Sequence, residues 1–322
     1  MEIENIPAIL SEELQHKIID EILAMSDIGT IAKAYLIRKN ENINYQVSYQ
    51  YLLSKQYNTM LTYLNRPDMH IPFPNSASKW SKKEFEYYLI QTKNVDEKEM
   101  FGPDHFQDMP LEVKNFLELH DDNFLIHYKN AVLNKNVPID KISKFAMKYI
   151  SYLNENNRES HIDNLMASFL ESVFGKDFIV DTQTPLKLIV NEADCEAITD
   201  VCVIDGVSCC QGVVVVEDKT EINKEGDPQA QLIAQGIAVA EQSDWKAEWP
   251  VYMVLCKGLR MDFYKGLFSK IFLKNVINGF DNSKMTLIYH LDQQICLETE
   301  KGRFSAARLF CRIKEDCVKR RN

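Results

Sequence analysis

The stretch AITDVCVIDGVSCCQGVVVVEDKT, residues 197–220, decides the fold. Two apolar runs, 197–204 and 212–220, flank a turn bracketed by Gly206 and Gly212, which is hairpin chemistry. Closing the hairpin with Asp205 opposite Gly212 sets Asp200 opposite Glu217. Directly opposed Cβ atoms in an antiparallel pair lie about 5 Å apart. Strand side chains alternate, so Lys219 shares the face of Glu217. The hairpin is therefore expected to hold two carboxylates and an ammonium on one surface. Two carboxylates so placed repel one another unless a cation sits between them. A one-residue slip would undo the alignment.

The flanking segments extend the pattern. A helix is expected over 158–174, with Ile162, Leu165, Met166, Phe169, Leu170, Val173 and Phe174 on its apolar face and Gly175 at its end. Strand-like runs follow at 178–182 and 186–190, ahead of the hairpin. A second helix is expected over 228–242, with Pro228 in its first turn, and two more strands over 251–256 and 261–266. A last helix over 304–319 ends in Lys319, Arg320 and Arg321, read as a solvated helix end rather than a phosphate-contact patch. This order predicts an α/β fold with helices on a central mixed sheet.

Carboxylate oxygens select Mg²⁺ or Mn²⁺ over metals that prefer softer ligands. Such an ion polarises a phosphoryl oxygen and lowers the pKa of a bound water. A nearby lysine orients or deprotonates that water, or stabilises developing charge. Asp200, Glu217 and Lys219 in this setting resemble the PD-(D/E)xK nuclease superfamily over about 110 residues. The resemblance implies an αβββαβ restriction-endonuclease-like core and phosphodiester hydrolysis in DNA or RNA. By it, Asp200 and Glu217 are metal ligands, the backbone carbonyl of Asp218 completes the metal shell, and Lys219 is catalytic. Thr199 stands where the family often has proline. An acidic residue of the first helix often joins the metal. Glu159, in line with Ile162, Met166 and Phe169, is preferred over Glu171, which falls with Asn164, Ala167 and Ser168. A helix glutamine that positions the lysine or the phosphate is expected at Gln231, with Gln235 one turn on as the other candidate. The pair VEDK and AQLIAQ also resembles nuclease domains of Crinkler-type effectors. The rival reading is a catalytically inactive nuclease-fold module used for binding nucleic acid or protein.

The remainder of the chain is less specific. Residues 1–140 read as an all-helical region, with helices over 8–25, 45–65, 81–92 and 111–119 and a long loop over 92–110; another helix is expected over 140–154. The nuclease-like domain is placed at 141–322. The tyrosines Tyr45, Tyr49, Tyr51, Tyr57 and Tyr63 read as a core or interface stripe, and His120 and His127 as surface residues. The net charge of -10 provides no global field for nucleic acid, so phosphate contacts must be local. Lys33, Arg38, Lys79, Lys82 and Lys83 are expected to line a substrate groove, unless the helices instead bind a protein partner or a second copy. Eight cysteines without a CxxC pair read as free thiols, and with no leader or membrane span expected, the cytoplasm or nucleus follows. Nucleotide-loop, HExxH and GxSxG motifs are absent.

Overall fold

The computed structural model describes residues 76–102, 109–134, 144–154, 159–191, 193–207, 211–219, 226–242, 250–278 and 285–321. The expected helices 8–25 and 45–65, the five tyrosines, Lys33, Arg38, Cys209 and Cys210 lie outside the described residues.

After a short 3-10 turn at Ala77–Lys79 come α1 (Lys82–Tyr87), β1 (Ile90–Val95), α2 (Glu97–Phe101), α3 (Leu111–Leu119), α4 (Asp122–Leu133), α5 (Lys144–Asn154) and α6 (Glu159–Phe174). Next are β2 (Phe178–Val190), β3 (Ala193–Asp205), β4 (Gln211–Lys219) and α7 (Pro228–Glu241). The chain closes with β5 (Pro250–Lys257), β6 (Arg260–Leu267), α8 (Lys270–Asn278), β7 (Thr286–Leu291), β8 (Ile295–Cys296) and α9 (Glu300–Arg320). All eight strands join one sheet in the order β1-β7-β6-β5-β4-β3-β2, with β8 beside β6. The pairs β1–β7 and β4–β5 are parallel and the others antiparallel. The parallel β4–β5 pair requires a crossover, and α7 supplies it.

The sheet is covered on both sides, which is why Val213, Val214, Val215 and Val216 are all buried without alternation. On one side Phe169, Phe174 and Phe310 from α6 and α9 pack with Val201, Val216 and Phe263. On the other, Ile233 and Ile237 of α7 pack with Val215, Met253, Trp80 and Tyr88. Helix α6 stops at Gly175, whose φ of 69° suits a left-handed cap. Helix α7 starts with Asp227 accepting from the Ala230 amide at 3.1 Å and with Pro228 in its first turn. Gly236 brings α7 close to the sheet: a Cβ there would stand 2.4 Å from the Met253 sulfur.

Several expectations need correction. The region 1–140 is not all-helical. Helix 81–92 stops at Tyr87, and Ile90–Val95 is a strand at the sheet edge, paired with Thr286–Leu291. A boundary at 140 therefore divides one sheet, and it also divides one core, because Val113, Leu117 and Leu125 pack in the cluster of α6. The expected loop 92–110 contains the end of β1 and all of α2. Strands 178–182 and 186–190 are one strand, and α4, α8, β7 and β8 were not anticipated. His120 is buried, its Nδ1 2.6 Å from the Phe116 carbonyl, whereas His127 is exposed. Arg321 is not a solvated tail: its guanidinium donates to both oxygens of buried Asp205, at 2.8 and 2.6 Å, and lies over Phe178.

Candidate active site

The hairpin closes one residue away from the expected position. Asp205 faces Gln211 and Ile204 faces Gly212, while farther in Val203 faces Val214 and Val201 faces Val216. The irregularity between Val203 and Ile204 absorbs the extra residue, Val213, as a bulge. The inner register is thus the expected one. Val201–Val216 is the last rung; beyond it β3 and β4 part. In the gap, the Asp218 amide donates to Asp200 Oδ2 at 2.6 Å, so a side chain replaces the next ladder bond.

Asp200 is held on its other oxygen by Gln183. This residue sits in β2 between the rungs Thr182–Val201 and Thr184–Thr199, with a φ of 53°. Left out of the pairing, its Nε2 donates to Asp200 Oδ1 at 3.1 Å and to Asp163 Oδ2 at 3.0 Å. One amide nitrogen thereby ties α6 to β3.

Glu217 and Lys219 lie on the α7 face of β4 and form an ion pair, with the Glu217 side chain fully buried and that of Lys219 15% exposed. Gln235 reaches down from α7, its Nε2 donating to Glu217 Oε2 at 2.5 Å and to the Ile198 carbonyl at 2.7 Å. Asp218 points to the opposite face, fully buried, toward Asp163 and Cys256.

Four carboxyls, those of Asp163, Asp200, Glu217 and Asp218, thus gather where β3 and β4 part, and burial is the largest influence on each. Burial, then the Asp200 charge, pushes Glu217 up to about 7, against the pull of Lys219 and Gln235. Burial and Asp200 push Asp163 up to about 6. Asp200 is raised by burial although the Asp218 amide and Lys219 oppose it. Asp218 is raised strongly by burial and by Asp200 and Asp163. Burial alone would lower Lys219, but Glu217, Asp200 and Glu159 outweigh it and the net shift is upward.

The structure brings Asp200, Glu217 and Lys219 together, and the Asp218 amide reaches Asp200. Glu159 is half-buried at the start of α6, near enough for its charge to act on Asp200 and Lys219. Glu171 is exposed and paired with Lys144. Of the two glutamines, Gln235 enters the site; the half-buried Gln231 side chain makes no hydrogen bond to it. Sequence reasoning missed Asp163 and Gln183. Asp163 sits between Ile162 and Met166, and a carboxylate inside an apolar stripe was the available signal. Gln183 gave none, because its role depends on a local left-handed kink in β2.

No protein-family model matches the chain, and no curated protein matches it. Among the described residues, no three His, Cys, Asp or Glu side chains converge as a ready metal cage, and no helix is long and apolar enough to cross a membrane. A cleft of about 710 Å³ lined by Lys82, Asn94, Gln229, Tyr264 and His290 lies between α1, β1 and the start of α7, and Asp200, Glu217 and Lys219 do not line it.

Proposed function

We propose that this chain is a metal-dependent nuclease with a restriction-endonuclease-like core of the PD-(D/E)xK kind, hydrolysing phosphodiester bonds in DNA or RNA. The observation that carries this reading is the meeting of Asp200, Glu217 and Lys219 where β3 and β4 part, with Gln235 clasping Glu217. The run α6–β2–β3–β4–α7–β5 has the αβββαβ order that the resemblance implies.

The donor set fits a hard divalent cation. Mg²⁺ takes one or two carboxylates and keeps several waters, so a cage of three acidic side chains is not required. Asp200, Glu217 and the Asp218 carbonyl would hold Mg²⁺ or Mn²⁺, with Glu159 and Asp163 in the surrounding shell. The buried, mutually repelling carboxylates need a neutralising charge at neutral pH. When bound, the ion supplies polarisation of the phosphoryl group and acidification of water.

The protein's own groups do the positioning. Gln183 and the Asp218 amide fix both oxygens of Asp200, and Gln235 fixes Glu217. Lys219, paired with Glu217, is placed to orient or deprotonate a water or to stabilise charge developing on the phosphoryl oxygens.

The test is an assay of the purified chain with Mn²⁺ on labelled single- and double-stranded DNA and RNA. Cleavage is expected, and Asp200→Ala or Lys219→Ala should abolish it in a chain that still folds. Undiminished turnover in either variant, in a preparation free of contaminating nuclease, would remove the mechanism. No cleavage of any substrate by the wild type would leave the inactive binding module as the better reading.

A further inference from the structure

The registers of β4, β5 and β6 place three cations in one row. Lys219 faces Lys257 across the parallel β4–β5 pair, and Lys257 faces Arg260 across the antiparallel β5–β6 pair. Facing residues of neighbouring strands share a side of the sheet, so all three lie on the side of Glu217. Neighbouring strands are about 4.8 Å apart, which puts the row's ends about 10 Å apart. Glu217, Leu255 and Asp262 form the parallel row one step back.

The row is anchored. Lys257 and Arg260 flank the two-residue turn Gly258–Leu259, where Gly258 has a φ of 61°. The Gly258 amide donates to the Lys219 carbonyl at 2.9 Å. The hairpin tip is thereby tied to the residue that bears the site's ammonium. Lys257 and Arg260 are both exposed and have no ion-pair partner among the described residues. The nearest acid in the row behind, Asp262, accepts from Gln294 at 3.2 Å and faces His290.

We propose that Lys219, Lys257 and Arg260 form a track for the phosphate backbone of one nucleic-acid strand, leading from the scissile position across β5 to β6. The proposal rests on the nuclease reading above. Cations on neighbouring strands about 4.8 Å apart, carried on long side chains, can each reach a phosphate of one nucleic-acid strand. A chain of net charge -10 needs such a local attraction beside its carboxylates.

The test is binding of a fluorescein-labelled oligonucleotide, single-stranded and duplex, by anisotropy in EDTA over a series of salt concentrations. Lys257→Ala with Arg260→Ala should make the slope of log affinity against log salt shallower by about 1.4 for single strands, or about 1.8 for duplex. Arg260→Glu should weaken binding further. An unchanged slope in a double variant that unfolds like the wild type overturns the track, as does a wild type that binds neither oligonucleotide. Cleavage in Mn²⁺, measured in parallel, separates the two proposals. Cutting with an unchanged slope removes the track alone, and the predicted slope without cutting removes the nuclease reading alone.

Discussion

Replacing Glu217 by glutamine removes a charge while keeping the side chain's shape. In the folded chain the Glu217 carboxyl is pushed up from 4.5 to about 7, with burial as the largest cause and Asp200 as the next. A group raised in this way contributes stability that is fully present below its unfolded pKa and lost as pH rises through the folded one. The window therefore runs from pH 4.5 to about 7. At 1.36 kcal/mol per pKa unit, the ionised form costs the metal-free fold about 3 kcal/mol above that window. Glu217→Gln escapes this cost. Its carbonyl oxygen still accepts from Gln235, and Asp200 and Glu159 remain to hold the charge of Lys219. Urea unfolding in EDTA, from pH 4 to 9, is the assay. The variant should match the wild type near pH 4 and exceed it by about 3 kcal/mol above pH 7, or roughly 4 °C in Tm. Stability curves that stay parallel across the whole range would refute the reasoning, because they would mean that Glu217 ionises in the fold as easily as in the unfolded chain.

The other perturbations act on neighbouring links. Gln235→Leu leaves the Ile198 carbonyl and a Glu217 oxygen without a donor and should destabilise by roughly 1–3 kcal/mol, whereas Gln231→Ala should stay within about 0.5 kcal/mol; thermal unfolding of the pair decides which glutamine the site uses. Mn²⁺ at a hundred times its Kd should stabilise the wild type by about 2.7 kcal/mol at pH 8, and calorimetry should show no such gain in Asp200→Asn. A chain truncated to begin at residue 141 should fail to fold cooperatively in circular-dichroism melts, because it lacks β1 and the core side chains Val113, Leu117 and Leu125.

The site was legible because the bulge at Val213 restores the register that the Gly-bracketed turn implied, which leaves Asp200, Glu217 and Lys219 together. The turn itself was not legible. Four consecutive buried valines hide the bulge at Val213, since a strand covered on both faces shows no alternation to betray an extra residue. The preference for Glu159 over Glu171 left Asp163 out for a related reason. A helix face pressed on a sheet is wide enough to include both Glu159 and Asp163, and only the kink at Gln183 selects Asp163. The edge strand β1 was missed because its sequence, IQTKNV, is polar on the exposed positions and short, as edge strands often are. His120 was assigned to the surface because Phe124 and Phe145, which pack on its ring, belong to other helices, and Arg321 because Asp205 is 116 residues away in the chain.

The parallel pairing of β1 with β7 also sets a schedule. Asn94 and His290 are partners 196 residues apart in the chain. At about 5–20 residues per second of synthesis, the early strand waits roughly 10–40 s for its mate to be made. Long-range parallel pairing is slow even then. During the interval Ile90 and Val95, buried in the finished sheet, have no strand to lie against. The newborn chain passes through a period of exposure in the cell that its mature form no longer shows, and a holding chaperone would meet it there.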